Sequence, residues 1–199
     1  MSNQNNQSRR QFLINGSLAS LGVLWASQAA VSSTLFAGKP NSKFGGVQIG
    51  AITYSFRSMP GSVDDLIKYC VECNISAIEL MGDAVEEYAG KPKSTMARAA
   101  YVPGQPRPQM TDEQRAAMAK LNKDVADWRA SVSMDKFVEV RKMFNKAGIS
   151  IYAFKPNALG PNNTDGEVEY ALKAAKALGA NSVTIELPTD PKQSQRLGD

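Results

Sequence analysis

The chain has 199 residues, 43% hydrophobic and 21% charged, a globular balance that excludes a disordered or fibrous protein and leaves room for one domain plus a targeting segment. The net charge is +4, but two of the cations, Arg9 and Arg10, belong to the N-terminal segment, and no basic cluster interleaved with aromatics marks a nucleic-acid partner. There are two cysteines and no histidine, so the commonest general base and the commonest metal ligand are missing from every candidate site.

The first residues read as an address. Ser8-Arg9-Arg10-Gln11-Phe12-Leu13 places two arginines ahead of an aromatic-aliphatic pair, and no charged side chain follows from Gln11 to Gly38. The run is rich in Ser, Gly, Ala and Asn, which suits a twin-arginine export signal better than a stable membrane span. Ser27-Gln28-Ala29 offers small residues for cleavage after Ala29. Residues 1–37 are therefore expected to be signal and spacer, with the twin-arginine translocase as a partner during export. The expected destination is periplasmic or otherwise exported, in a bacterium.

From residue 38 the sequence spells strand–helix units. Val47 to Tyr54 predicts the first strand, leaving through Ser55-Phe56-Arg57. Ser62 with Asp65 forms a capping box ahead of Val63, Leu66, Ile67, Cys70 and Val71 at helical spacing. Asn74 ends that helix, and Ile75 to Leu80 is the second strand, carrying Glu79. Residues 82–133 break the rhythm as a long insertion. Its Pro103-Gly104-Gln105-Pro106-Arg107-Pro108 stretch cannot be helical. Thr111 with Gln114 then caps a helix bearing Ala117, Met118, Leu121, Val125 and Trp128. The insertion is expected to cover the C-terminal mouth of the sheet, as long loops often do. Ser133 caps the next helix, with Met134, Phe137, Val138 and Phe144 inward and Gly148 at its end. The third strand is Ser150 to Phe154, leaving through Lys155-Pro156-Asn157. Thr164 and Glu167 make a third capping box before Val168, Ala171, Leu172, Ala175 and Leu178. Ser182 to Leu187 is the fourth strand and carries Glu186; Lys192 to Asp199 is polar and adds no fifth.

Strands alternating with helices predict an α/β fold with a parallel sheet. In such barrels the chemistry sits where strands end and βα loops begin. That rule singles out Glu79 and Glu186 as candidate catalytic carboxylates. Tyr54 and Asn157 suit hydrogen bonds to a substrate's polar groups, and Arg57 and Lys155 suit an anionic substrate group. Cys70 and Cys73 form a C-x-x-C, but near the end of a helix rather than at its N-terminus, and without further Cys or His to complete a zinc site. Cys70 reads as core.

The order and spacing of Ile49-Gly50-Ala51-Ile52-Thr53-Tyr54-Ser55-Phe56-Arg57, Ser76-Ala77-Ile78-Glu79-Leu80 and Ala180-Asn181-Ser182-Val183-Thr184-Ile185-Glu186-Leu187-Pro188 resemble the N-terminal half of the sugar phosphate isomerase/epimerase family. These are xylose isomerase-like TIM barrels. The resemblance covers about residues 44–190. It implies (β/α) units of such a barrel, about half of it present, with 38–199 as its N-terminal half. It also implies an exported isomerase or epimerase acting on a small sugar or polyol. The family's divalent metal (Mn, Mg, Zn or Co) is held by two glutamates, an aspartate and a histidine on later strands. Those ligands are expected beyond Asp199, so no metal and no turnover are expected from these residues alone, and self-association through open sheet edges is. Two other readings stay open: a keto-sugar dehydratase or lyase on the same barrel, and a non-catalytic sugar-binding module.

Overall fold

The computed structural model describes residues 38–95, 109–188 and 190–198. The chain divides into two units, Met1–Gly38 and Lys39–Asp199, and the elements below belong to the second. The export signal with Arg9, Arg10 and Ala29, and the proline-rich stretch 103–108, lie outside the described residues. Among the described residues no helix is long and apolar enough to cross a membrane.

The second unit is mixed α/β. A four-stranded parallel sheet is built from β3 (Ala51–Ile52), β4 (Ala77–Met81), β5 (Ser150–Lys155) and β6 (Ser182–Val183), in that spatial order. Among the described residues there are six α-helices: α1 (Val63–Glu72), α2 (Gly82–Tyr88), α3 (Asp112–Ser131), α4 (Asp135–Lys146), α5 (Asp165–Leu178) and α6 (Pro191–Gly198). The sequential strand order and the parallel pairing agree with the sequence. Val183 lies beside Phe154, as expected.

The first strand differs from its expectation. Val47–Gln48 (β2) turns back on Lys43–Phe44 (β1) as an antiparallel hairpin. Its turn is Gly45-Gly46, with φ of 54° and 86°, the double left-handed conformation that a two-residue hairpin of matching twist requires. Only Ala51 and Ile52 join the parallel sheet, opposite Ile78 and Glu79. Thr53–Phe56 then winds into a 3-10 turn. Thr53 ends the strand because its Oγ1 accepts the Met81 N–H at 3.0 Å, so the side chain completes the ladder. The hairpin is fastened under the N-terminal end of the sheet. The Ser42 N–H donates to Ser76 Oγ at 3.0 Å, and the Ser42 hydroxyl donates to the Ile49 carbonyl at 2.6 Å.

All three capping boxes form, at Ser62/Asp65, Thr111/Gln114 and Thr164/Glu167. Each satisfies orphan N–H groups in the first helical turn. Helix α1 stops at Asn74, which takes φ 57°, and α5 at Gly179, φ 72°. Helix α2, inside the expected insertion, begins directly after β4 and was not legible. Helix α6 forms where a polar tail was expected.

The core lies on one face of the sheet. Ile78, Leu80, Ile151 and Phe154 pack against Val63, Leu66 and Cys70 of α1, Phe137, Val140 and Phe144 of α4, and Tyr170, Ala171 and Leu178 of α5. Phe137, Phe144 and Phe154 are wholly buried, and burying one such side chain is worth roughly 1.5–3 kcal/mol. The alternate positions Glu79, Met81 and Tyr152 point to the other face, where they are half-buried or exposed.

Candidate functional site

The uncovered sheet face carries a small polar group. Glu79, in the middle of β4, accepts a hydrogen bond from the Thr184 hydroxyl at 2.6 Å. Thr184 follows β6 and stays in its ladder through its N–H to the Phe154 carbonyl at 2.9 Å. Tyr152 lies close by. Burial raises its phenol pKa, and the Glu79 charge raises it further. The ring passes so near β3 that a Cβ on Gly50 would sit 2.6 Å from Tyr152 Cε1. Only glycine there lets the tyrosine lie across the strand.

The remaining predicted residues gather at the C-terminal end of the sheet, in separate pairs. Lys155 is ion-paired with Glu186, whose side chain is 89% exposed. That partner holds the Glu186 carboxyl below its ordinary range. Both line a cleft of about 430 Å³ together with Asn157 and Gln193. The Asn157 amide donates to Asp83 at 2.8 Å. Arg57 stacks over the Tyr54 ring at 4.6 Å, and the two line a different cleft of about 420 Å³ with Met81 and Asp83. Glu79 lines neither cleft. So Lys155, Asn157 and Glu186 share a site, Tyr54 and Arg57 share another, and Glu79 stands with Thr184 on the sheet face.

Sequence reasoning missed a third arrangement, buried between α2, α3 and α5. Glu86 is 0% exposed. Its Oε1 accepts from Arg129 Nε at 3.1 Å, Arg129 Nη2 at 2.9 Å and the Tyr170 hydroxyl at 3.1 Å. Its Oε2 accepts from Lys91 Nζ at 2.8 Å. Arg129 Nη1 donates to Glu167 at 2.8 Å, and Glu167 also receives the Asn163 amide and the Thr164 N–H, each at 2.9 Å. Burial by itself pushes the Glu167 carboxyl up, but these donors outweigh it and hold the pKa low. For Arg129 burial works against the charge and the two carboxylates outweigh it. Burial, reinforced by the Glu86 charge, drives the Tyr170 phenol far up, so it stays a donor. Among the described residues no buried side-chain polar atom lacks a partner. The readable signal was spacing: Arg129 falls four residues after Val125 and eight after Leu121, so the apolar stripe of α3 ends in a charge.

This network pins helix α3 of the insertion against α5, and Arg129 is its most buried residue. Of the residues at helical spacing, Ala117 and Met118 are exposed, while Leu121, Val125 and Trp128 are half-buried.

Cys70 is sealed in the core and Cys73 is exposed, with no disulfide between them. Burial pushes the Cys70 thiol up to about 12, the reverse of a reactive thiol. Among the described residues no three His, Cys, Asp or Glu side chains converge as metal ligands. Glu79 offers a single carboxylate already bonded to a hydroxyl, which does not fit a divalent ion, so no chemical step is routed through a metal here.

No protein-family model, no curated protein and no solved structure matches the chain.

Proposed function

We propose that the second unit is part of a xylose isomerase-like TIM barrel that binds a small sugar or polyol at the C-terminal mouth of its sheet and belongs to an exported isomerase or epimerase. The observation that carries this reading is Glu79 on the uncovered face of a parallel, sequentially ordered sheet, held by Thr184 at 2.6 Å beside Tyr152. Parallel neighbours in chain order are the arrangement of a (β/α)8 wall, whose site lies where the strands end and the βα loops begin. A carboxylate there, oriented by a fixed hydroxyl donor, suits proton transfer next to a sugar carbonyl. Lys155, Asn157, Tyr54 and Arg57 would meet substrate hydroxyls or an anionic group from the rim. The second proton-transfer group and any metal ligands would come from βα units added at the open edges of β3 and β6. Export through the twin-arginine translocase remains part of the proposal on the strength of Arg9 and Arg10.

Amide-resolved NMR titration with aldoses, ketoses and polyols tests the binding half. Saturable shifts at Tyr152, Thr184 and Glu79 are expected, with affinity about tenfold weaker in Glu79→Gln. No sugar shifting those amides, or an unaltered Glu79→Gln, would defeat the reading. Running the sugars with this chain in D₂O should show binding without deuterium entering next to the carbonyl, since the second proton-transfer group is not among these residues; exchange by this chain alone would overturn that division of labour.

A further inference from the structure

A further concave space is neither the Glu79 face nor the Lys155–Glu186 cleft. It encloses about 620 Å³ between α3 on one side and α2 with the β5–α5 connection on the other. Small-molecule sites fall in this size range. On the α3 side, apolar Leu121, Val125 and Ala126 stand beside Asn122 and Arg129, and Asn157, Asn162 and Asn163 line the other side.

Its charges balance. Lys91, Lys93 and Arg129 line it, and so do Asp83, Glu87 and Glu167. The cations are already paired within the lining: Arg129 with Glu167 at 2.8 Å, Lys91 with Asp83 at 3.6 Å, and Lys93 with Glu87. Arg129 and Glu167 are more than nine-tenths buried, so the floor is fixed before any ligand arrives. The N-terminus of α5 opens here too, but its capping box has taken the anion's place: the Thr164 N–H is bonded to Glu167 at 2.9 Å. A ligand of either net charge would have to break one of these pairs. An uncharged ligand would use their remaining lone pairs and N–H groups intact.

We propose that this cleft is a binding site for an uncharged polyhydroxylated molecule of mono- to disaccharide size, separate from the Glu79 face. The apolar wall of α3 takes the C–H side of the ring or chain. The Asn122 and Asn162 amides, which both donate and accept, take the hydroxyls, with Asn157 Oδ1 as a further acceptor, since Asn163 is already bonded to Glu167 and Gly160. The inference stands without the isomerase reading: of the residues named there it shares only Asn157, and Asn122, Ala126 and Asn162 report on the cleft alone.

The test is NMR titration of the full chain with glucose, xylitol and maltose, set against glucuronate and glucose 6-phosphate. Saturable shifts at Asn122, Ala126 and Asn162 are expected from at least one uncharged probe, with the ionic probes about tenfold weaker or worse. Ala126→Trp, which puts an indole into the cleft, should weaken binding at least about tenfold, while Glu79→Gln leaves it within about twofold. The proposal is overturned if no uncharged probe saturates those amides, if the ionic probes bind as well, or if Glu79→Gln abolishes the effect. It is equally overturned if a folded Ala126→Trp binds as before. Should Ala126→Trp fail to fold, the exposed Asn122→Ala decides: about threefold weaker binding upholds the cleft, and unchanged binding overturns it.

Discussion

Glu86 and Glu186 both lie near the C-terminal end of the sheet, one in the helix layer and one on the rim, and they live under opposite rules. Glu86 is wholly buried and receives Arg129, Tyr170 and Lys91. Glu186 is 89% exposed and meets Lys155 alone. In the first setting, desolvation is offset only by a complete set of donors, so every member must stay. In the second, water can replace the partner, and the pair can be re-formed around a ligand at little cost. The buried cluster therefore fixes geometry, and the rim keeps its charges exchangeable.

The sharpest break in that contrast is Arg129→Met. It strips Glu86 of two donors and Glu167 of one, and should cost about 3–5 kcal/mol in urea unfolding, the usual penalty for orphaning a buried partner. A loss near zero would mean that α3 is not pinned as described. Next comes pH. The folded pKa of Glu167 is held below the ordinary 4.5, so its contribution is complete above that value and is lost as pH falls through the folded value. Urea midpoints should drop on acidification below about pH 4.5, and the drop should shrink in Glu167→Gln. A smaller effect is expected from Thr164→Ala, which removes the cap on the Glu167 N–H at a cost of about 1 kcal/mol. Lys155→Met closes the series: its partner is open to water, so thermal melting should not change measurably. A clear loss there would put the rim under the same rule as the buried cluster.

The fold was legible wherever local chemistry decided it. Capping boxes depend on two residues three apart, and all three were readable. The apolar spacing of Val63, Leu66 and Cys70 marked a face that does turn inward. What failed to show depended on distant partners. The single strand expected from Val47 to Tyr54 is split because Gly45-Gly46 folds its start back on Lys43–Phe44 and because Thr53 Oγ1 accepts the Met81 N–H. Nothing local in the sequence sets Glu86 apart from Glu87, since its partners stand as many as 84 residues away. At the candidate site, the residue types were readable from strand ends. Their grouping was not, because whether Glu79 meets Thr184 or Glu186 meets Lys155 depends on strand register. The bulge between Ile78 and Glu79, opposite Tyr152, alters that register.

The cysteine pair on α1 has a use that its inertness supplies. Cys73 lies open to reagents, whereas Cys70, one turn earlier, is sealed against the sheet with its thiol pushed up to about 12. A thiol-alkylating agent will therefore mark Cys73 directly and Cys70 only in molecules whose first helix has lifted away. Counting one mark against two by mass spectrometry turns the chain into its own clock for helix opening, read in native buffer without a denaturant.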